Sequence, residues 1–476
     1  MRRRLLGTFS ASTLACLILA VGVAAALGPD AGPPTNRDVS AWPGNEAEDA
    51  IAANPKNGDN VVAITILDAP SGLFEGISFD GGKTWTRKII GVGDELGTIC
   101  CDEQLAWDRY GNLWMTYLLN DSRNVPVAVS TDGGLTFTKV AEIVPTTPPG
   151  SSVTAGSVGK RPGSPDAQPS ADQPSIAVGP DSVWVSYASY PSGLIQAAGA
   201  HVRGLGDFGP FSSPETVPAP NGLGNYGDTA VGPDGEVLVI YQRHDGGEHG
   251  GPIYTALDPD GLGPAGFREP RFFAKSAVGG FDYIPAQPHR SVDAEANLAW
   301  DREGAHKGRV YAIWTQEQPD ESDNTDIMFQ YSDDAGRHWT PALKLNDDIT
   351  ARSQFNPAIA LDQATGDVAV SWYDARNDAG DGGPGDTDGL PNDDVQIWAT
   401  YSTDGGVTFA RNFKVSERTS NANGAQSNFD YGDYTHAAFQ DHAFYPAWSD
   451  NSNSTRENPD GRLHKLDLYT ARVIIR

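Results

Sequence analysis

Ser130-Thr-Asp132-Gly-Gly-Leu-Thr-Phe137 is the stretch that decides the fold. An Asp carboxylate placed there can accept hydrogen bonds from the backbone N–H groups of its own turn. The Gly beside it supplies the positive φ that a tight hairpin turn needs. The closing aromatic residue then packs over the next strand. The same order, Ser-x-Asp-x-Gly-x-(Thr/His)-(Trp/Phe), recurs over residues 78–85, 332–339 and 402–409, around Asp80, Asp334 and Asp404. One copy would say little. Four copies in one chain describe a repeated hairpin.

A second pattern runs in phase with the first. It consists of an acidic or polar residue, a short apolar run, a tight turn and an alternating aromatic strand. Its starts stand at Asp49, Asp102, Asp172, Tyr226, Asp293, Phe355 and Tyr431. Irregular spacings of roughly 50 to 70 residues, with about four strands per unit, predict an all-β radial propeller. Seven four-stranded blades are expected, with six as the alternative. The last unit reaches only a third strand, Leu466–Val473. A segment near Asp38–Trp42 is expected to add the fourth, which closes the ring and removes its free edges.

The N-terminus places the chain outside the cytoplasm. Arg2, Arg3 and Arg4 precede an apolar run from Leu14 to Leu27 that contains Ala24-Ala25-Ala26. Residues 1–28 therefore read as a signal peptide, and 29–476 as a single propeller domain. The paired arginines also permit twin-arginine export, and Cys16 raises the alternative of a lipid anchor. No later segment is apolar for long enough to span a membrane. Formal net charge is −28 before the leader arginines are removed, which argues against nucleic acid and anionic membranes as partners. A monomer acting on or binding carbohydrate is expected. Composition with Gly 54, Pro 34 and Trp 11 suits many short strands and turns.

Topology locates the working face. In a four-stranded blade the A–B and C–D turns share one face, and the D–A and B–C loops share the other. The A–B turns here are tight and the C–D turns are the Asp motifs. The long insertions Val144–Ala171, Ser276–Val292, Arg376–Asp394 and Glu417–Asn428 all fall on the opposite face, where recognition is expected. Starts of A strands meet there around the axis, bringing Asp49, Asp102, Glu103, Asp172, Gln173, Tyr226, Asp228, Asp293, Glu295, Asn356, Tyr431, Asp433 and Tyr434. Ends of B strands add Arg243, His244, Gln316, Glu317, Asp374, Arg376 and Asp450. An Asp at the start of strand A also has a structural use, in bonding neighbouring blade backbones.

The Asp motifs and blade spacing resemble the sialidase and BNR-repeat superfamily across essentially the whole mature chain. That resemblance implies sialidase-like glycoside hydrolysis in a central pocket. The superfold also hosts other hydrolases, lyases and non-catalytic receptors, so a glycan- or protein-binding propeller is the alternative. Catalysis would fall to Glu295, Tyr434, Asp433 and Asp293, since glycoside chemistry needs two carboxylates or a Tyr–Glu pair. Substrate contacts would come from Arg243, Arg290, Arg376, Tyr431 and Tyr226, arginine forks being suited to a sugar carboxylate. The family's Arg-Ile-Pro motif near the first blade is absent, so no residue stands for its first arginine.

Two further features have chemistry of their own. No cofactor is required, but the acidic, Gly-rich loop after Arg376 suits a hard cation, with Asp378, Asp381, Asp386 and Asp388 as candidate Ca²⁺ ligands. Cys100 and Cys101 are adjacent in an exported chain, which favours a vicinal disulfide over two free thiols.

Overall fold

The computed structural model describes residues 34–476 apart from 69–70, 147–169, 191, 221–223 and 244–246. The leader and most of the insertion from Val144 lie outside the described residues. Seven antiparallel sheets are arranged as the blades of a propeller. Their A strands, nearest the axis, are Glu46–Asn54, Gly97–Trp107, Ser170–Val178, Asn225–Val231, Asn297–Trp300, Gln354–Leu361 and Ala437–Gln440. Blade 1 continues through Asn57–Leu67, Leu73–Ser78 and Thr86–Ile90, each paired with the strand before it.

Closure follows the expected route. Blade 7 builds Ala443–Asp450 and Asp467–Ala471, and its outer strand is Asn36–Asp38, with Asn36 opposite Ala471 and Asp38 opposite Tyr469. Only the backbone N–H of Val39, bonded to the Leu468 carbonyl, extends this pairing toward Trp42. The added strand therefore lies a few residues earlier than the sequence suggests.

Each Asp motif is a self-contained hydrogen-bonded turn. Asp132 Oδ1 accepts from the Thr136 backbone N–H at 2.9 Å, and Oδ2 accepts from the Thr136 hydroxyl at 2.6 Å. Ser130 Oγ receives the Gly134 N–H and donates to Asp132. Asp80, Asp334 and Asp404 repeat this geometry. In the third motif Ala335 adopts φ 58°, a conformation that Gly81, Gly133 and Gly405 take in the others. Exchange of Asp132 for Ala should lower stability by about 1 kcal/mol through the lost turn bonds. Urea unfolding reads that loss, and an unchanged midpoint would count against the role.

Large apolar side chains fill the gaps between blades. Trp114, Trp184, Trp300, Trp372 and Trp448 are fully buried, and Phe409 meets Phe329 edge to face at 4.8 Å. Cys100 and Cys101 form a disulfide immediately before Asp102 and pack against the apolar layers between blades. Among the described residues, no helix is long and apolar enough to cross a membrane.

Candidate active site at the axis of the loop-rich face

One backbone device is repeated at the start of the A strands. Register shifts occur between Ala47 and Ala50, Cys101 and Gln104, Asp172 and Ser175, and Phe355 and Ala358. Within or beside them Glu48, Asp102, Gln173 and Asn356 take φ between 44° and 62°, and Glu295 takes 35° before strand A of blade 5. Such bulges re-aim one side chain out of the alternating pattern. Five blades thus share one conformation around the axis. Each presents a carboxylate or amide there.

A hairpin laid across this face completes the site. Residues Asp282–Ile284 and Gln287–Val292, in the connection from blade 4 to blade 5, reach the segment that enters blade 7. Gln287 donates to the Gly432 carbonyl at 2.8 Å and accepts the Tyr431 N–H at 2.8 Å. Asp430 receives the backbone N–H groups of His289 and Arg290. Gly432, at φ 84°, sits where a Cβ would meet Glu48 Cγ at 2.5 Å, so the segment approaches the ring only because it carries glycine.

Arg290 is delivered by that hairpin. Its guanidinium is bound by both oxygens of Asp433, with Nε 2.6 Å from Oδ1, and lies 3.6 Å from Glu48. Phe429 faces it at 6.0 Å. Gln173 Nε2 reaches Asp433 at 3.4 Å, and the Gln173 N–H bonds Asp102 at 2.9 Å. Asp293 and Glu295 are both buried, their carboxyl groups share a hydrogen bond, and Asp293 Oδ1 also accepts the Glu295 N–H at 2.8 Å. Glu48, Asp102 and Glu103 are buried too, whereas Asp172 is solvent-accessible beside Asp102.

So many carboxylates packed in one largely buried site cannot all be charged. Burial pushes Asp293 up to about 8, and the facing Asp433 adds to the shift. Glu295 is raised well above the usual carboxylate range by burial and then by Asp293. Glu48 and Glu103 are raised in the same way by burial, with like charges adding to it. Burial also raises Tyr434, together with the charges of Asp102 and Glu48. Several buried oxygens have no hydrogen-bond partner: Glu48 Oε2, both Glu103 oxygens, Gln173 Oε1, Glu295 Oε2 and Asn356 Oδ1. They are acceptors, and they call for a ligand rich in donors.

The four expected catalytic residues, Glu295, Tyr434, Asp433 and Asp293, all converge here. Tyr434 feels the charges of Asp102, Glu48 and Glu103 most, rather than that of Glu295. For Arg376 the expected place beside Arg290 is corrected. Arg376 is tied to Asp374 at 2.7 Å and Asp347 at 2.8 Å and stacks on Trp398 at 4.1 Å, sharing no partner with Arg290. Arg243 ends strand B of blade 4, its backbone N–H on the Pro252 carbonyl. Tyr431 is also corrected, because it is wholly buried, stacks on Tyr373 at 4.5 Å and donates to Ser420. Its size and aromaticity serve packing. The Tyr226 side chain and His244 lie outside the described parts.

Other axial acids are structural. Asp228 links blades 3, 4 and 5 through the Ser175 hydroxyl and the Leu298 N–H. Asp49 accepts from Ser449 of blade 7. Asp374 and Asp450 accept the indole N–H groups of Trp372 and Trp448. Glu48 was not among the expected residues, since simple alternation selects its neighbour Asp49. Beyond the ring, the A strands enclose an axial cavity of about 310 Å³ toward the tight-turn face, walled by Ile51, Leu105, Ile176, Leu298 and Ile359.

Residues 77–87, the first Asp motif, match the BNR/Asp-box repeat family. No curated protein matches the chain. Similar solved structures include an alpha-L-arabinanase of Penicillium chrysogenum complexed with arabinobiose, 14% identical, covering 82% of this chain and 100% of that one, with a TM-score of 0.45. A GH93 alpha-L-arabinofuranosidase of Fusarium graminearum is 14% identical, covering 72% and 92%, with a TM-score of 0.42. The endosialidase of phage phi92 is 10% identical, covering 93% and 69%, with a TM-score of 0.47. The likeness is one of fold.

Proposed function

We propose that this protein is a glycoside hydrolase acting on neutral sugars at the axis of its loop-rich face. The observation that carries the reading is the Asp293–Glu295 pair, two adjacent buried carboxyl groups near the Arg290–Asp433 ion pair, both raised above the usual carboxylate range by burial. A buried carboxyl that stays protonated near neutral pH suits a general acid for a glycosidic oxygen.

Asp293 and Glu295 are hydrogen-bonded to each other, whereas the two carboxyls that flank a scissile bond stand about 5–9.5 Å apart. They therefore act as one proton-holding unit. Asp433 is the second carboxylate, oriented by Arg290, and serves as base or nucleophile. Tyr434 and the unpartnered oxygens of Glu48, Gln173 and Asn356 would receive sugar hydroxyl donors.

Charge argues against sialic acid as substrate. Arg290 already binds both oxygens of Asp433, so its guanidinium is not free to take a sugar carboxylate. A panel of aryl glycosides and polysaccharides, neutral and sialylated, tests this by released reducing ends. Turnover of a neutral glycan is expected. Cleavage of sialosides alone would overturn the substrate assignment, and no cleavage with saturable glycan binding would make this a binding propeller.

A further inference from the structure

The connection between strands B and C of blade 6 is ordered by spent carboxylates. Buried Asp378 accepts the N–H groups of Asp393 at 2.9 Å and Asp394 at 3.0 Å through Oδ2, and that of Gly380 through Oδ1. Asp386 accepts from Gly382, Asp388 and Gly389. Asp381 serves the Gly383 N–H at the exposed tip. Of the four candidate ligands read from the sequence, Asp378, Asp381 and Asp386 bond backbone N–H groups of the loop, and Asp378 and Asp386 also stand within reach of Asp394. Their work pushes three other acids together.

Asp388, Asp393 and Asp394 each offer a carboxylate oxygen, and the three oxygens lie within 4.8 Å of one another. Asp393 is 3% exposed, and its Oδ1 has no hydrogen-bond partner. Its Oδ2 takes the Asn423 amide at 3.0 Å. Asp394 is served by Thr387, and Asp388 by the Leu390 N–H and the Asn421 amide. No lysine or arginine is among these partners. Asp393 Oδ1 is thus a buried carboxylate oxygen without a donor, in a residue grouped with two more carboxylates.

We propose that this loop binds one Ca²⁺ on Asp388, Asp393 and Asp394. Bonds of about 2.3–2.6 Å to calcium allow ligand oxygens up to about 5 Å apart, so one ion can reach all three. The ligand set is all oxygen and irregular, which suits calcium better than the strict octahedron of magnesium, and it offers no His or Cys for zinc. The ion would also brace the active site. Asn421 caps the short helix Ala422–Ala425 and Asn423 lies within it, and Ser420, bridged to Val395, receives the Tyr431 hydroxyl just ahead of Asp433 and Tyr434.

Calorimetric titration of CaCl₂ into EGTA-stripped full-length protein should show a single saturable equivalent, and the ion should raise Tm by a few degrees. Asp393→Asn and, separately, the exposed Asp388→Asn should each weaken binding about tenfold or more. Asp381→Asn should bind as wild type does. Circular dichroism confirms that each variant is folded. Absence of heat and Tm shift at millimolar Ca²⁺, or undiminished binding by both Asp388→Asn and Asp393→Asn, would overturn the site. An equal response to MgCl₂ would overturn its assignment to calcium.

Discussion

Glu295→Gln should slow cleavage of any glycan that the protein hydrolyses by about 10²–10⁴-fold, the usual contribution of a positioned general acid. The substitution keeps the shape of the side chain and can still hydrogen-bond Asp293. It also removes a carboxyl that burial and Asp293 make hard to ionise, so stability should hold or rise. The wild-type rate should fall at alkaline pH, as the buried dyad gives up the proton that the acid must donate. Asp433→Asn should slow turnover as well, because it removes the carboxylate that serves as base or nucleophile and breaks the bidentate pair with Arg290. Measured kcat/KM settles the matter. A Glu295→Gln enzyme within threefold of wild type would remove the dyad from the mechanism.

The second large effect concerns the seam where the ring closes. Asp38 of the N-terminal strand stands beside Asp467 of the third strand of blade 7, and the charge of Glu46 also acts on Asp467. Burial, then the charges of Glu46 and Asp38, pushes Asp467 up to about 12, and burial raises Asp38 to about 6. Both oxygens of Asp467 lack donors. A folded-state pKa above the unfolded value means that the native chain binds the extra proton. The associated stability is present below the unfolded pKa, near 4, and is lost as pH rises toward the folded value.

Wild-type Tm should therefore decline from pH 5 to pH 8. Asp467→Asn, whose amide can donate to Asp38 and Glu46, should flatten that decline. At pH 7 the variant should gain about 3–4 kcal/mol, and near pH 4 the gain should vanish. Urea unfolding at several pH values reads both. A wild-type Tm that climbs between pH 5 and 8, with no gain in the variant, would refute the protonated seam.

Much of this molecule is local and periodic, and such features are legible in a sequence. The Asp132 turn is closed by partners within four residues, so its residues announce its geometry. Seven repeats and a missing final strand imply ring closure by the N-terminus, and turn lengths reveal which face is elaborated. The active-site neighbourhood at the A-strand starts follows from that topology.

The identity of individual groups within that neighbourhood depends on contacts far apart in the chain. A bulge at Glu48 resets the two-residue alternation and points it, rather than Asp49 alone, to the axis. Arg290 enters the site because a hairpin crosses to Asp430 and Asp433, some 140 residues away, whereas Arg376 finds Asp374 and Trp398 beside it. Equal arginines in equivalent blades thus meet different fates. In the acidic loop the carboxylates that bond backbone look the same in sequence as Asp393, whose Oδ1 is left without a donor. Residue type and spacing determined the blades, the closure and the working face; only the tertiary structure decided which charges are paired, because pairing is set by what packs across the axis.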